Sequence, residues 1–263
     1  MCGRLLTGLM IASLALPSAA WAGDSACPSK KKVLERLKAI DPDRGSRTVL
    51  FHSAPPTELY EKAAAKHGEV FAAKDGKTVW GVLVTEHPIE AIWKAINDEP
   101  HHAVDGYLPV RHSEIIGGTP RGGSRDLFQY YKKAGVGRWW VSRVEMNAKL
   151  YSESEGQIWE LTWKDLQDDV DASKPPMNAV SEDLPALESS YGAWFVVPIN
   201  DHCTLVEYYN HAEPGGFVSF AQGLLAKKTV RDTLEGTVRL ADEHLSQPHP
   251  DCIFVRPDGS RLD

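Results

Sequence analysis

The chain has 263 residues, 42% of them hydrophobic, and a formal net charge of −7. An acidic balance disfavours nucleic acid as a partner, because the phosphate backbone is bound by basic surfaces. The length suits one large domain, or one domain with an N-terminal addition. After residue 22 no apolar run reaches the length of about 18 residues that crosses a bilayer, so the body of the chain is expected to be soluble.

Residues 1–22 predict a cleaved secretory signal peptide. Arg4 supplies positive charge, an apolar run extends from Leu5 to Ala20, and Ala20-Trp21-Ala22 is a small-x-small cleavage site. The alternative is an uncleaved membrane anchor, for which the interrupted run is short. The mature protein is therefore expected to be periplasmic or secreted.

Three cysteines follow the signal: Cys27, Cys203 and Cys252. In an oxidising compartment two of them can pair, which leaves three pairings open. Because Cys27 and Cys252 flank the folded body, the preferred pairing is a bridge between them, with Cys203 as a buried thiol. The spacing does not fit a Cys-x-x-Cys metal or redox site.

Residues 23–77 are interpreted as a helical extension that packs on the main domain and ends in a hairpin. Helices are predicted over 28–40, with Ser29 as the cap, and over 58–66. The turn sequence at 74–77 separates strand-like runs at 69–73 and 78–85.

Residues 78–246 predict the main domain, and 247–263 form a C-terminal tail. A short helix is expected over 89–98; the pattern then changes to period two with frequent turns, which is typical of antiparallel strands. The predicted strands are 110–116, 125–132, 138–149, 157–166, 191–198 and 203–211. The acidic, proline-containing break at 167–188 predicts a surface loop.

The strand residues sort into an apolar and a polar face. Arg143 and Glu145 alternate with an apolar set, and Glu207 shares a face with its apolar neighbours. The apolar set on two adjacent strands is Trp140, Val144, Met146, Trp159, Leu161 and Trp163. One apolar and one polar face are typical of an antiparallel half-barrel.

The last long segment, 215–246, predicts a helix that follows a Pro214-Gly215-Gly216 turn. A helix of this length needs a broad partner surface. We therefore predict an α+β fold in which a curved antiparallel sheet grips the C-terminal helix around an apolar hollow.

This pattern resembles the START-related (SRPBCC) helix-grip superfamily, which includes lipid-transfer domains and bacterial polyketide cyclase-like proteins. The resemblance covers residues 70–246 and departs from the family at 167–188 and in the N-terminal helices. The segments that carry it are Val79–Val84, Ile89–Asp98, Gly192–Pro198, Thr204–Tyr209 and Glu213–Phe217. It implies a hydrophobic-ligand-binding protein.

Candidate lining residues of the hollow are mostly large and apolar. They are Trp140, Val144, Met146, Trp159, Leu161, Trp163, Phe195, Phe220 and Leu224. Either Arg143 or Glu207 is a candidate to hold the polar end of a ligand, together with a counter-charge. The alternative is that both face water or pair across strands.

The sequence lacks the common catalytic templates: a Gly-x-Ser-x-Gly elbow, a His-Glu-x-x-His pair and a phosphate loop. No metal or cofactor is expected, and His101 and His102 are interpreted as solvent-facing loop residues. This favours a lipid-binding or lipid-transfer protein, whose partners are a hydrophobic small molecule or lipid and, transiently, a membrane. The alternatives are a cyclase- or dehydratase-like enzyme acting on a polyketide or lipid in the same cavity, and an interaction module for an envelope partner.

Overall fold

The computed structural model describes residues 27–46, 54–133, 136–213, 222–247 and 252–262. The predicted signal peptide, the turn at 214–216 and Phe220 lie outside these ranges, and so does the side chain of Leu224. In the described part of the chain, no helix is long and apolar enough to span a membrane.

Six α-helices are described, and the helices predicted in the N-terminal half are confirmed. Their bounds are α1 Lys30–Ile40, α2 Thr57–Ala65, α3 Ile89–Ile96, α4 Glu99–His102, α5 Ala148–Glu153 and α6 Gln222–Ser246. Helix α5 replaces the end of the predicted strand 138–149. The strand stops there because the Asn147 side chain accepts a hydrogen bond from the Leu150 amide and caps the new helix.

Eight strands form one antiparallel sheet, in the order β1-β2-β8-β7-β6-β5-β4-β3. Their bounds are β1 Phe71–Asp75, β2 Thr78–Thr85, β3 His112–Gly118, β4 Ser124–Lys133, β5 Val136–Met146, β6 Trp159–Asp165, β7 Ser189–Asn200 and β8 Cys203–Glu213. The predicted hairpin joins β1 to β2, and Gly76 in its turn has a left-handed φ of 55°. The tail adds a short pair, β9 Phe254–Val255 with β10 Arg261–Leu262.

The sheet has apolar residues on both faces. Helices α3 and α6 cover the inner face, where Val206 and Leu161 pack with Leu234 of α6. Helices α1 and α2 cover the outer face, where Leu205 packs with Val33 of α1. The protein therefore has the α+β helix-grip fold, with the N-terminal helices on the side of the sheet opposite the gripped helix.

Helix α6 runs alongside β2, in the same direction. Val230 and Leu234 lie so close to β2 that a Cβ at Gly81 would come within 2.5 Å of both side chains. Further along, Asp242 Oδ1 lies 2.8 Å from Nε2 of His87, just after β2 ends. The C-terminal part of α6 is thereby held against the β2–α3 connection.

The disulfide corrects the predicted pairing. Cys27 is bonded to Cys203, with a Cα–Cα distance of 5.1 Å, so the predicted Cys27–Cys252 bridge is wrong and Cys203 is not a thiol. Both residues lie in the outer-face core, because the N-terminal extension lies across β8. The bridge ties that extension to the sheet, and closing a loop of 176 residues stabilises the fold by about 5 kcal/mol in the chain-entropy treatment.

Candidate functional site

The inner face brings together most of the predicted lining residues. Val144, Trp159 and Leu161 are buried in its core, and Met146 and Trp163 pack against that core while remaining half-buried. Trp140 shares the face by alternation along β5 and is also half-buried.

Two predicted site residues lie on the outer face instead. Phe195 is fully buried in the outer core, and Trp194 takes the inner position beside it. Glu207 faces α2, where the Tyr60 hydroxyl donates a hydrogen bond of 2.5 Å to its Oε1. The N-terminal helices cover this part of the sheet, so β7 and β8 are buried on both sides and alternation does not reveal which side faces the hollow.

Arg143 also lies away from the inner face. It forms an ion pair of 2.8 Å with Asp126, its direct neighbour on β4, and its side chain is 41% exposed. Arg143 therefore pairs across strands, as in the alternative interpretation, and does not face the hollow.

One part of the inner face, which we call the packed region, is filled by α3. Trp93 of α3 is fully buried and meets Trp159 edge-on, with 5.4 Å between ring centroids. Its indole Nε1 donates to the Val255 carbonyl at 2.9 Å, which also fixes the tail. The members of the packed region are Leu83, Ile92, Trp93, Trp159, Val196 and Val206.

The adjoining part, which we call the open region, comprises Ser142, Trp163, Gly192, Tyr208 and Asn210. Gly192 pairs directly with Trp163, and a Cβ there would lie 2.2 Å from Cζ2 of the indole. The glycine thus lets the indole lie across β7 and stack on Tyr208, with centroids 5.5 Å apart and planes at 29°. The result is a flat aromatic wall spanning three strands.

Several polar groups of the open region have no partner in the described part of the chain. Tyr208 is surrounded by protein, and this burial raises the pKa of its phenol, yet the residue keeps accessible surface. Ser142 Oγ and Asn210 Oδ1 are buried without a hydrogen bond. Because Trp163 and Tyr208 lie deep in the fold and yet keep accessible surface, we take the open region as the candidate site.

A buried charge pair on the inner face was not foreseen from the sequence. Arg125 lies directly across from Val144, and its Nε donates to Oε1 of Glu99 at 2.8 Å. Its Nη2 donates to the side chain of Asn97, also at 2.8 Å. Arg125 and Glu99 are 1% and 2% exposed, and each is the counter-charge of the other. The buried charge with a counter-charge that was expected at Arg143 or Glu207 is therefore found at this pair instead. In the sequence, the features that could have indicated this pair are the acidic helix end at 97–99 and the arginines on either side of the Gly122-Gly123 turn.

A second buried cluster is centred on Asp98. Arg121 and His101 bind its carboxylate, and His244 of α6 lies 3.2 Å from it. Burial alone would raise the pKa of Asp98, but the hydrogen bond from His101, the nearby His244 and the charge of Arg121 outweigh it and hold that pKa well below its usual range. The cluster joins the α3–α4 corner, the β3–β4 turn and the end of α6.

The interpretation of His101 and His102 as solvent-facing is wrong. The hydrogen bond to Asp98 raises the pKa of His101, whereas burial lowers the pKa of His102, which is 4% exposed and bonded to the Ala95 carbonyl. They do point to different partners. Within the ranges that the structure describes, no three His, Cys, Asp or Glu side chains are grouped so as to hold a metal ion.

A separate surface cleft of about 460 Å³ lies where α3, the end of α5 and the tail meet. Tyr151, Trp159 and Arg256 are among the residues that line it. It reaches the edge of the packed region and not the open region.

Comparison with known proteins identifies the fold. No protein-family model and no curated protein matches the chain. Among solved structures, human STARD10 is similar over 77% of this chain and 87% of its own, with 10% identity and a TM-score of 0.50. A STAR-related lipid transfer protein fragment from Xanthomonas axonopodis covers 68% of this chain and 99% of its own, with 19% identity and a TM-score of 0.48. The Zhui aromatase/cyclase from Streptomyces covers 64% and 94%, with 14% identity and a TM-score of 0.44.

Proposed function

The protein has a START-like helix-grip fold, and from that premise we propose that it is an exported protein that binds or transfers a hydrophobic molecule. The ligand lies between the open region of the inner face and α6. The observation that carries this proposal is the half-buried aromatic wall of Trp163 and Tyr208, which is deep in the protein yet remains accessible.

The wall offers enough apolar surface for capture without covalent chemistry. Burying about 300 Å² of a ligand at about 25 cal/mol per Å² contributes on the order of 7 kcal/mol before ordering costs. The packed region offers no such surface, because α3 fills it.

Export is supported by the disulfide as well as by the N-terminal sequence. Disulfides persist in oxidising compartments such as the periplasm and the cell exterior. The Cys27–Cys203 bridge starts only five residues after the proposed cleavage site following Ala22. Mass spectrometry of the mature protein from its host should show Gly23 as the first residue and this bridge in place.

The fold alone does not choose between carriage and catalysis, because the similar structures include a lipid transfer protein and an aromatase/cyclase. Carriage is favoured because the unpartnered polar groups of the open region, on Ser142, Tyr208 and Asn210, are uncharged. The charged Arg125 and Glu99 are already paired with each other. Turnover of a bound polyketide or lipid would support the enzyme instead.

Uptake from vesicles tests the proposal. The mature protein is mixed with vesicles of phosphatidylethanolamine and phosphatidylglycerol that carry either a pyrene-labelled lipid or a fluorescent sterol. We expect at least one probe to leave the vesicles and comigrate with the protein, and to do so less with Trp163→Ala. The matched control is Trp139→Ala, in the separate cluster with Phe128 and Leu184. If the wild type takes up neither probe, the proposal is overturned.

A further inference from the structure

The phenol of Tyr208 is the accessible hydrogen-bonding group at the centre of the aromatic wall. Trp163 stacks on its ring, and Trp194 meets it edge-on with centroids 4.6 Å apart. Both contacts fix the ring, so the direction of the hydroxyl group varies little. The burial that raises the pKa of Tyr208 keeps the phenol protonated and able to donate.

The hydroxyl group makes no hydrogen bond within the described part of the chain, although three strands meet around it. A ligand that displaces water from this region should offer the hydroxyl group an acceptor atom, because a donor that loses its hydration without gaining a partner costs free energy. The other unpartnered atoms of the open region, Ser142 Oγ on β5 and Asn210 Oδ1 on β8, are also uncharged.

We propose, on the basis of the function above, that Tyr208 determines ligand specificity by donating a hydrogen bond to an uncharged acceptor oxygen on a flat ring system. The ligand class is a neutral ring-containing ketone, ester or alcohol.

The expectation that the ligand is flat follows from the position of Trp163. Gly192 leaves room for the indole to lie along the sheet, so its face forms a platform on which a planar ligand stacks with an offset. The expectation that the ligand is uncharged follows from the groups around Tyr208. A carboxylate or phosphate would exchange its hydration shell for aromatic rings and uncharged groups, which costs more than one hydrogen bond returns.

A matched pair of probes tests the hydrogen bond directly. 2-Acetylanthracene carries a carbonyl oxygen, and 2-ethylanthracene has the same rings without an acceptor. Their dissociation constants are measured for the wild type, Tyr208→Phe and Tyr151→Phe. Tyr151 is the control because it is also half-buried and its pKa is also raised by burial, but it lies at the separate cleft.

We expect Tyr208→Phe to weaken binding of 2-acetylanthracene about five- to tenfold and to change binding of 2-ethylanthracene less than about twofold. Tyr151→Phe should change neither. In the infrared spectrum, the carbonyl band of bound 2-acetylanthracene should lie at lower wavenumber in the wild type than in Tyr208→Phe. Equal binding of 2-acetylanthracene to both proteins, with an unshifted band, would overturn the role of Tyr208 while leaving the proposed function intact. If the wild type binds neither anthracene and takes up no vesicle probe, the proposed function itself fails.

Discussion

The packed and open regions share one face of one sheet but are completed in different ways. In the packed region a helix supplies the missing layer, and Trp93 and Trp159 are 0% and 3% exposed. In the open region the aromatic residues pack on one another along the sheet and stay half-buried. The difference shows that a tryptophan-rich face is not by itself evidence of a cavity, because what covers each tryptophan decides its role.

Polar groups follow the same division. Beside the packed region, Asp98, Glu99, Arg121 and Arg125 form buried ion pairs that hold the helix corner in place. In the open region Ser142 and Asn210 have buried oxygens without partners. Among the described residues, Glu99 Oε2 and Arg121 Nε also lack a hydrogen bond, so what distinguishes the open region is that its unpartnered groups are uncharged and belong to no ion pair.

The largest expected effect is a difference between the two regions in how much a tryptophan contributes to stability. Trp93→Ala removes a fully buried indole and the hydrogen bond to Val255, and should lower the free energy of unfolding by about 3–5 kcal/mol. Trp163→Ala removes a half-buried indole and should cost about 1–2 kcal/mol. Chemical denaturation of both variants measures the difference. Equal losses would mean that the open region is packed as tightly as the other.

Asp98→Ala should cost about 3 kcal/mol, because it leaves the buried Arg121 without its carboxylate. The pKa of His101, followed by NMR, should fall in this variant, since its hydrogen bond to Asp98 is what raises it. In the wild type this interaction stabilises the fold fully below the unfolded histidine pKa of about 6.5 and is lost as the pH rises through the higher folded value. Asp242→Asn, at the contact of α6 with His87, is the control and should leave the titration of His101 unchanged.

Gly192→Ala places a Cβ 2.2 Å from the indole of Trp163 and 2.3 Å from the backbone carbonyl oxygen of Tyr209, and should lower the free energy of unfolding by about 1–3 kcal/mol through overpacking. The displaced indole should also become more accessible to acrylamide quenching. Gly123→Ala adds the same methyl group where no atom lies within 4 Å and should change stability by less than about 0.5 kcal/mol. Unchanged quenching in Gly192→Ala would contradict the proposed stacking across β7.

The smallest effect concerns the unpartnered hydroxyl group of Ser142. Ser142→Ala should leave stability unchanged or raise it by up to about 1 kcal/mol, because no hydrogen bond is lost. Ser113→Ala on β3 removes the bond of 3.0 Å that Gln129 donates and should cost about 1 kcal/mol. A loss in Ser142→Ala as large as that in Ser113→Ala would mean that Ser142 has a structural partner.

Periodicity predicts the elements of this fold better than it predicts the site. The alternation of Trp159, Leu161 and Trp163 identifies the inner face of β6, and all three residues pack there. It fails at Phe195 and Glu207, because α1 and α2 cover the outer face and make both sides of β7 and β8 apolar. The disulfide pairing was missed for the same reason, since only the position of the extension brings Cys27 to Cys203.

Buried charges are also beyond what local patterns reveal. Arg125 and Glu99 are 26 residues apart and lie on different elements, so their pairing depends on how α4 meets β3 and β4. Read alone, each is an ordinary surface-type residue. The aromatic wall depends in turn on Gly192, whose missing side chain matters only once Trp163 is known to face it.

The structure of the protein purified with its natural ligand tests the central claim most directly. We predict ligand electron density between α6 and the Trp163–Tyr208 wall, with a ring stacked on the indole. Protein side chains that fill this space, or a ligand bound elsewhere, such as in the cleft beside Tyr151, would contradict it.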